Sequence, residues 1–201
     1  MKNVFAALLL CTATLVVSAQ SEIDTEEKTG GFKKEYLFTG GTVNLSFSNF
    51  GTVLGASPQL GYSLAKWLDA GILLGYTYSS QRDDLNNKYR QTIITPGAFV
   101  RLFPIDMIFA SVQFEHNFIR QKIVPSAGQS YRLPTQNVNS LLVGLGYSGG
   151  RQGRNSPYYY FSVSVDILQN RNSPYTDRYN NMLPIVNAGL NIPLFQGGRG
   201  R

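Results

Sequence analysis

From Tyr36 to Leu194 the sequence alternates between apolar and polar side chains with a period of two residues. Successive side chains of a β-strand point to opposite faces, so this period predicts strands whose two faces meet different surroundings. The runs predict eight strands, at approximately 36–48, 56–64, 68–79, 89–102, 107–118, 137–147, 158–168 and 183–194. Most reach the roughly 9 to 11 residues that a tilted strand needs to cross a bilayer.

Alternation alone does not decide which face lies inside. A soluble sandwich or a lipocalin-like barrel would bury the apolar face, to which Leu74 and Val163 belong. The polar face, however, consists mostly of small uncharged residues rather than the Lys and Glu typical of a water-facing strand. A narrow interior filled by side chains accounts for that composition, and we expect it to be lined by the following polar residues: Gln59, Arg101, Gln113, Glu115, Asp166 and Asn187.

Tyrosines on the apolar face provide a second argument. The tripeptide Leu-Gly-Tyr occurs at 60–62, 74–76 and 145–147, each time with Leu and Tyr on the apolar face. With alternating strand directions these and neighbouring aromatic residues fall near two boundaries, as in an aromatic girdle. The predicted girdle residues are Tyr62, Tyr147 and Tyr159 at the inner boundary and Tyr76, Tyr78 and Phe118 at the outer one. The alternative is that they are ordinary core tyrosines.

These features predict one all-β domain over residues 35–195, an eight-stranded antiparallel up-and-down transmembrane β-barrel. In lipid an open sheet edge would leave backbone groups unpaired, which favours closure. Eight strands enclose a space that side chains can fill, so a wide diffusion pore is not expected. Pro58, Pro96 and Pro184 fall within predicted strands, where we expect bulges or locally broken pairing because proline has no N–H.

The first 19 residues have the pattern of a secretory signal peptide. Lys2 precedes an apolar run, and small residues end at Ala19, after which we predict cleavage. A membrane-spanning helix is the alternative, but Thr12 and Thr14 interrupt the run before it reaches roughly 20 apolar residues. The one cysteine, Cys11, lies in the removed segment. Residues 20–34 are predicted to be a flexible periplasmic leader and residues 196–201 a C-terminal tail.

One stretch of the chain resembles a known family. Ala56-Ser57-Pro58-Gln59-Leu60-Gly61-Tyr62-Ser63-Leu64, then Trp67-Leu68-Asp69-Ala70-Gly71 and Leu74-Gly75-Tyr76, is similar to the second and third strands of the outer-membrane β-barrel domain family. That family includes small OmpX-like and OmpA-transmembrane-like barrels. The resemblance implies the fold and a location in the bacterial outer membrane. The last strand carries Asn187-x-Gly189-x-x-Ile192-x-Leu194, which resembles the C-terminal assembly signal of bacterial outer-membrane barrels, so the outer-membrane assembly machinery is an expected partner. It implies no particular activity.

Four segments are predicted to be loops on the cell exterior. They are 49–55, 80–88, 120–136 and 169–182. The third carries Arg120, Lys122 and Arg132 without an acidic residue, and clustered cations of this kind suit the phosphates of lipopolysaccharide. A solvated loop is the alternative.

No catalytic, cofactor or metal site is predicted. The one histidine, His116, is expected on the lipid-facing side, and the position where a serine would complete a lipid-deacylating site is Phe118. Nucleic acid is not an expected partner, because the cations sit mostly in predicted loops and tails, although the net charge is +6. The leading hypothesis is a non-enzymatic outer-membrane barrel with a structural or surface-interaction role, within reach of membrane lipids and an envelope protein complex. A narrow porin-like channel and a soluble lipid-binding barrel are the alternatives.

Overall fold

The computed structural model describes residues 32–48, 51–83, 87–176 and 181–195. The predicted signal peptide, the leader up to residue 31 and the C-terminal tail lie outside the described residues. A 3-10 turn at Lys34–Tyr36 leads into the first strand. No helix in this described part of the chain is long and apolar enough to cross a membrane.

Nine strands follow in chain order within these described residues. They are β1 (Leu37–Ser48), β2 (Gly51–Ala65), β3 (Leu68–Arg82), β4 (Lys88–Ile105), β5 (Ile108–Val124), β6 (Tyr131–Arg132), β7 (Gln136–Gly149), β8 (Tyr158–Asp166) and β9 (Ile185–Pro193). Every pairing between them is antiparallel, and β9 returns to pair with β1, which closes the sheet. The two-residue β6 pairs with β5 alone. The prediction of a closed antiparallel barrel of eight long strands is therefore confirmed.

The barrel has two distinct ends. The start of β1, the end of β9, the tight turns 66–67 and 106–107 and the connection 150–157 lie at one end, which we call the terminal end. The end of β1, the start of β2, residues 83 and 87, and the segments 125–135, 167–176 and 181–184 lie at the opposite end, the loop end.

The apolar face of the strands points outward. Leu74, Val163 and Val186 are 55%, 51% and 68% exposed, although all three are aliphatic. Many inward side chains are buried, and they include charged and polar groups such as Asp69 and Asp166. The interior of the barrel, which we call the lumen, is thus lined by the polar face, the reverse of a soluble β-barrel core.

Glycine and aromatic side chains fit together inside the lumen. A Cβ atom on Gly61 would overlap the ring of Phe38, and one on Gly146 would overlap the ring of Phe109. Both glycines are the middle residues of Leu-Gly-Tyr tripeptides. These two tripeptides therefore place Leu and Tyr outside while the glycine leaves room for an aromatic ring from a neighbouring inward position, whereas Gly75 of the third tripeptide faces Thr95 and Ser57.

This packing makes Gly146 sensitive to one added methyl group. We expect Gly146→Ala to lower the free energy of unfolding by about 1 to 3 kcal/mol, because the buried ring of Phe109 packs against Phe103 and Tyr160. The backbone oxygen of Phe161, 2.7 Å from the added Cβ, adds to this cost. Urea titration of the folded protein measures the loss. In a Phe109→Leu background the same exchange should cost less, and an unchanged cost there would show that the ring is not the obstacle.

The prolines have the effect predicted for two of the three positions. Pairing of β2 with β3 lapses at Ser57 and Pro58, and pairing of β4 with β5 lapses at Thr95 and Pro96, with the same register on both sides. Each proline keeps its register partner on the other neighbouring strand. Pro184 lies just before β9, so the prediction of a proline inside that strand is wrong.

Several predicted loops are shorter than expected because the strands continue into them. β2 already begins at Gly51, which removes most of the predicted loop 49–55. β5 runs to Val124, so the prediction that Arg120 and Lys122 lie in a loop is wrong. Backbone hydrogen bonding continues beyond the apolar part of a strand, and a sequence pattern based on apolar side chains misses that extension.

Candidate functional site

Arg101 occupies the half of the lumen towards the terminal end. Its guanidinium lies 4.6 Å from the ring centroid of Phe99 and 4.3 Å from that of Tyr160. Nη2 donates a hydrogen bond to Oε1 of Gln59 at 2.9 Å. With the Asn191 amide oriented to satisfy its neighbours, its oxygen accepts from Nη1 at 2.9 Å. The cation is buried but stacked and hydrogen-bonded, which offsets the cost of removing it from water.

Arg151 closes the terminal end. It enters from the connection 150–157, and its guanidinium stacks 3.8 Å from the ring centroid of Phe103. Nη1 donates to the backbone oxygen of Lys66 at 2.8 Å and to Oδ1 of Asp106 at 2.9 Å. One side chain thereby ties the connection to both tight turns at this end.

Asp69 links the two arginine clusters. Its Oδ1 lies 3.4 Å from Nη2 of Arg151, and its Oδ2 accepts a hydrogen bond from the hydroxyl of Tyr158 at 3.1 Å. The ring of Tyr158 packs against Phe103 and Tyr160, and Tyr160 is one of the rings beside Arg101. Aromatic rings and paired charges therefore fill this half of the lumen.

Among the described residues, two carboxylates lie in the loop-end half of the lumen. Asp166 accepts hydrogen bonds from the backbone N–H groups of Leu141 and Leu168 at 3.0 and 3.1 Å, and from Oγ of Ser173 at 2.7 Å. Ser173 also contacts Ser140, which lies on β7. The loop after β8 is thus fastened inside the mouth of the barrel.

Glu115 is the second carboxylate. It accepts hydrogen bonds from Nε2 of Gln113 at 2.6 Å and from the hydroxyl of Tyr175 at 2.7 Å. Burial, followed by the neighbouring Glu115 carboxylate, raises the pKa of Tyr175 well above its usual value. The tyrosine therefore stays protonated and remains a donor.

Between the filled half and this loop lies a cavity of about 330 Å³. Its walls combine apolar side chains such as Leu73 and Ile93 with hydroxyl and amide groups, and Glu115 is the one charged residue among the described residues that line it. Among the other polar residues of the lining are Thr42, Asn44, Gln59, Gln91, Gln113, Ser162 and Asn187. The cavity is suited to uncharged hydrogen-bonding groups.

The structure places all six residues predicted to line the lumen on its inward face. Gln59, Arg101, Glu115 and Asp166 are buried. Gln113 and Asn187 are partly buried and border the cavity.

The six predicted girdle residues point outward. Tyr76, Tyr147 and Tyr159 are exposed, and Tyr62, Tyr78 and Phe118 are partly exposed. Tyr159 lies at the start of β8 and Tyr147 near the end of β7, both at the terminal end. Tyr76 and Phe118 share Ile94 as a register partner and so belong to one region of the wall closer to the loop end.

The three predicted basic residues belong to a row of cations at the loop end. Lys122 pairs in register with Arg90 on β4 and with Arg132 on β6, so the three side chains share the outward face. Arg120 follows on the same face of β5. Inward residues at this level are mixed, since Ile119 is buried whereas Gln91 and Gln121 are polar register partners. The outward face therefore changes from apolar to cationic beyond the apolar wall.

A comparison with models of known protein families finds none that matches this chain, and a comparison with characterised proteins finds no match in sequence. The function is therefore inferred from the geometry of the barrel.

His116 lies on the outward face, where its ring packs edge-on against Phe118 at 4.6 Å between centroids. Its Nδ1 is within hydrogen-bonding distance of Oδ1 of Asn139. Among the described residues, no group of three or more His, Cys, Asp or Glu side chains could hold a metal ion.

Asp69, Arg151 and Tyr175 were not identified from the sequence. The alternation of β3 places Asp69 on the inward face. The residue lies just after the tight turn 66–67, however, where a charged side chain is normally expected to face water. Arg151 and Tyr175 belong to connections, and nothing in the sequence indicates that these connections fold into the lumen. The unusual length of 148–156 was the one available signal for the first of them.

Proposed function

We propose that this protein is an outer-membrane β-barrel with a structural or surface-interaction role and no enzymatic activity, similar to the small OmpX-like barrels. The observation that carries the proposal is a wall of exposed aliphatic and aromatic side chains around a polar lumen. A soluble protein rarely leaves an apolar surface of that extent in water, whereas acyl chains provide the matching solvent.

The extent of the apolar wall supports this proposal. On β4 the outward residues are apolar from Ile94 to Leu102, and on β5 the corresponding segment is Ile108–Phe118, in which His116 is the one outward exception. These lengths are close to the roughly 9 to 11 residues that a tilted strand needs to cross a bilayer. Outward cations begin at Arg90 and Arg120, where lipid headgroups would lie.

The structure gives less support to the two alternatives. A narrow channel needs a continuous water path, but Arg101, Arg151 and their aromatic neighbours fill the half of the lumen towards the terminal end. A soluble lipid-binding barrel needs an apolar interior and a polar exterior, and both are reversed here. We therefore retain the non-enzymatic membrane barrel.

The proposal assigns the loop end to the cell exterior and the outward cation row to anionic lipid phosphates, such as those of lipopolysaccharide. Exchanging Arg90, Lys122 and Arg132 for glutamine should weaken this association by about 1 kcal/mol per charge. Phosphate retained per purified barrel measures the effect. The matched control replaces Lys33, Lys34 and Lys66, three cations at the terminal end. Equal losses in both triple variants would contradict a specific role of the row.

Membrane fractionation combined with a heat-modifiability gel tests the location and the barrel together. We expect the protein in the outer-membrane fraction, and we expect unheated samples to migrate differently from boiled ones because the closed sheet resists detergent. Recovery in the soluble fraction without detergent would contradict the proposal. An envelope complex containing this barrel would also be recovered in the membrane fraction, as a larger species after mild solubilisation.

A further inference from the structure

The wall of the barrel is incomplete at the seam between β1 and β9. These strands pair from Phe38 with Pro193 to Thr42 with Gly189. Beyond Thr42, the residues of β1 up to Ser48 continue to pair with β2 but not with β9. The segment 185–188 of β9 likewise pairs with β8 and not with β1. Among the described residues, the loop-end half of this seam therefore has no hydrogen-bond ladder.

The polar cavity lies directly behind the open half of the seam. Asn44 from β1 and Asn187 from β9 both contribute to its lining, together with Thr42 and Ile185. If the ladder continued in register, Asn44 and Asn187 would be partners. Non-helical backbone at membrane depth is tolerated where it lines a water-filled cavity, so the open seam and the cavity are physically consistent with each other.

The outer side of the same seam is apolar. Val43 is 62% exposed and Val186 is 68% exposed, one on each side of the opening. A molecule lying across the seam would therefore meet aliphatic side chains outside and hydroxyl and amide groups inside. We infer that the cavity binds the uncharged, hydroxyl-rich head of an amphiphile whose alkyl chain stays in the surrounding lipid and which enters sideways through the seam.

The charge of the cavity selects this class of head. Glu115 borders the space, and the described lining contains no lysine or arginine. A phosphate head would lie near a carboxylate without a counter-ion, which is costly in a partly dry site. A neutral head avoids that cost and can use Asn44, Asn187 and Gln91 as hydrogen-bonding partners. A volume of about 330 Å³ is near the lower limit of roughly 300 to 1,000 Å³ for ligand pockets.

A photoreactive alkyl glucoside tests the inference, which rests on the proposed membrane location. The protein is reconstituted in phosphatidylcholine vesicles, and the probe carries its reactive group on the alkyl chain next to the sugar. We expect labelling to concentrate on residues beside the seam, above all Val43 and Val186. The same tail with a phosphate head should compete at least about tenfold less well. Labelling spread evenly around the barrel would overturn the inference.

A disulfide across the seam supplies the decisive variant. The variant combines Val43→Cys with Ala188→Cys, because these two outward positions would be partners if the existing register continued. When the ladder closes, their spacing is compatible with a disulfide. Oxidation should lower labelling about tenfold, and reduction should restore it. Thr39→Cys with Ile192→Cys is the matched control, because it joins a position that is already paired. Labelling that persists with the seam stapled would overturn lateral entry of the amphiphile. The same result is expected if the open edge accepts a peptide strand instead of an amphiphile.

A second variant leaves the seam untouched. Asn187→Leu removes a polar group from the cavity and should lower labelling, while the response of the seam cysteines to oxidation and reduction stays the same. Unchanged labelling would overturn the assignment of the head site. Vesicle flotation of every sample separates the two proposals. Protein that fails to float contradicts the membrane location, whereas protein that floats but labels evenly contradicts the lateral site alone.

Discussion

Replacing Val163 with arginine is expected to destabilise the bilayer-folded barrel by about 2 to 4 kcal/mol. Val163 is 51% exposed and central in β8, so the cost arises from placing a cation among acyl chains and not from a clash in the core. The same exchange on the water-exposed strand of a soluble barrel would usually change stability by less than about 0.5 kcal/mol. Urea unfolding in vesicles, followed by Trp67 fluorescence and gel mobility, measures the difference.

Two controls isolate the effect of depth. Val163→Leu keeps the side chain apolar and should have little effect. Thr92→Arg places the same cation on an outward position beyond the apolar wall, where the cost should fall to about 0 to 1 kcal/mol. Similar costs for arginine at positions 92 and 163 would contradict a hydrocarbon environment at the middle of the wall.

Removing the carboxylate of Asp69 is expected to have the second large effect. The side chains of Asp69 and Arg151 are 0% and 1% exposed, so Asp69→Ala would leave a buried guanidinium without its buried counter-ion. We expect the free energy of unfolding to fall by about 3 to 5 kcal/mol. Chemical unfolding of the variant in the same vesicles provides the measurement.

Asp106 is the matched control for Asp69, since it contacts the same arginine at a shorter distance, 2.9 Å against 3.4 Å. Its side chain is 55% exposed, so Asp106→Ala should cost less than about 1 kcal/mol. Adding Arg151→Met to Asp69→Ala should cost much less than the sum of the single exchanges. Equal losses at Asp69 and Asp106 would show that burial does not determine the strength of this ion pair.

The strands were predictable because their two faces carry different chemistry over long runs. Leu74 and its neighbours show the period of two directly, and the structure confirms both the number of long strands and the closed antiparallel order. The strand extensions at the loop end were missed because the outward residues there, Arg120 and Lys122, are cationic. The alternation used to predict the strands has apolar residues on that face. Beyond the apolar wall the inward face is mixed as well, with the buried Ile119 followed by the polar Gln121.

The alternation predicted which side chains point into the lumen, but it did not predict which residues they contact there. Arg101, Glu115 and Asp166 were assigned to the inward face from their position in the alternation. Their partners include residues from connections, such as Ser173 for Asp166 and Tyr175 for Glu115. Local sequence does not determine whether a connection folds into a barrel or away from it, since that depends on the space left between the strands.

The central claim is that the aliphatic face meets lipid, and spin labels placed along β3 test it directly. Labels at positions 72, 74 and 76 should respond strongly to oxygen, which concentrates in lipid, and labels at 73 and 75 should not. Their response to a water-soluble nickel chelate should be weak at positions 72, 74 and 76. A strong response to the chelate at Leu74 in reconstituted vesicles would contradict the account.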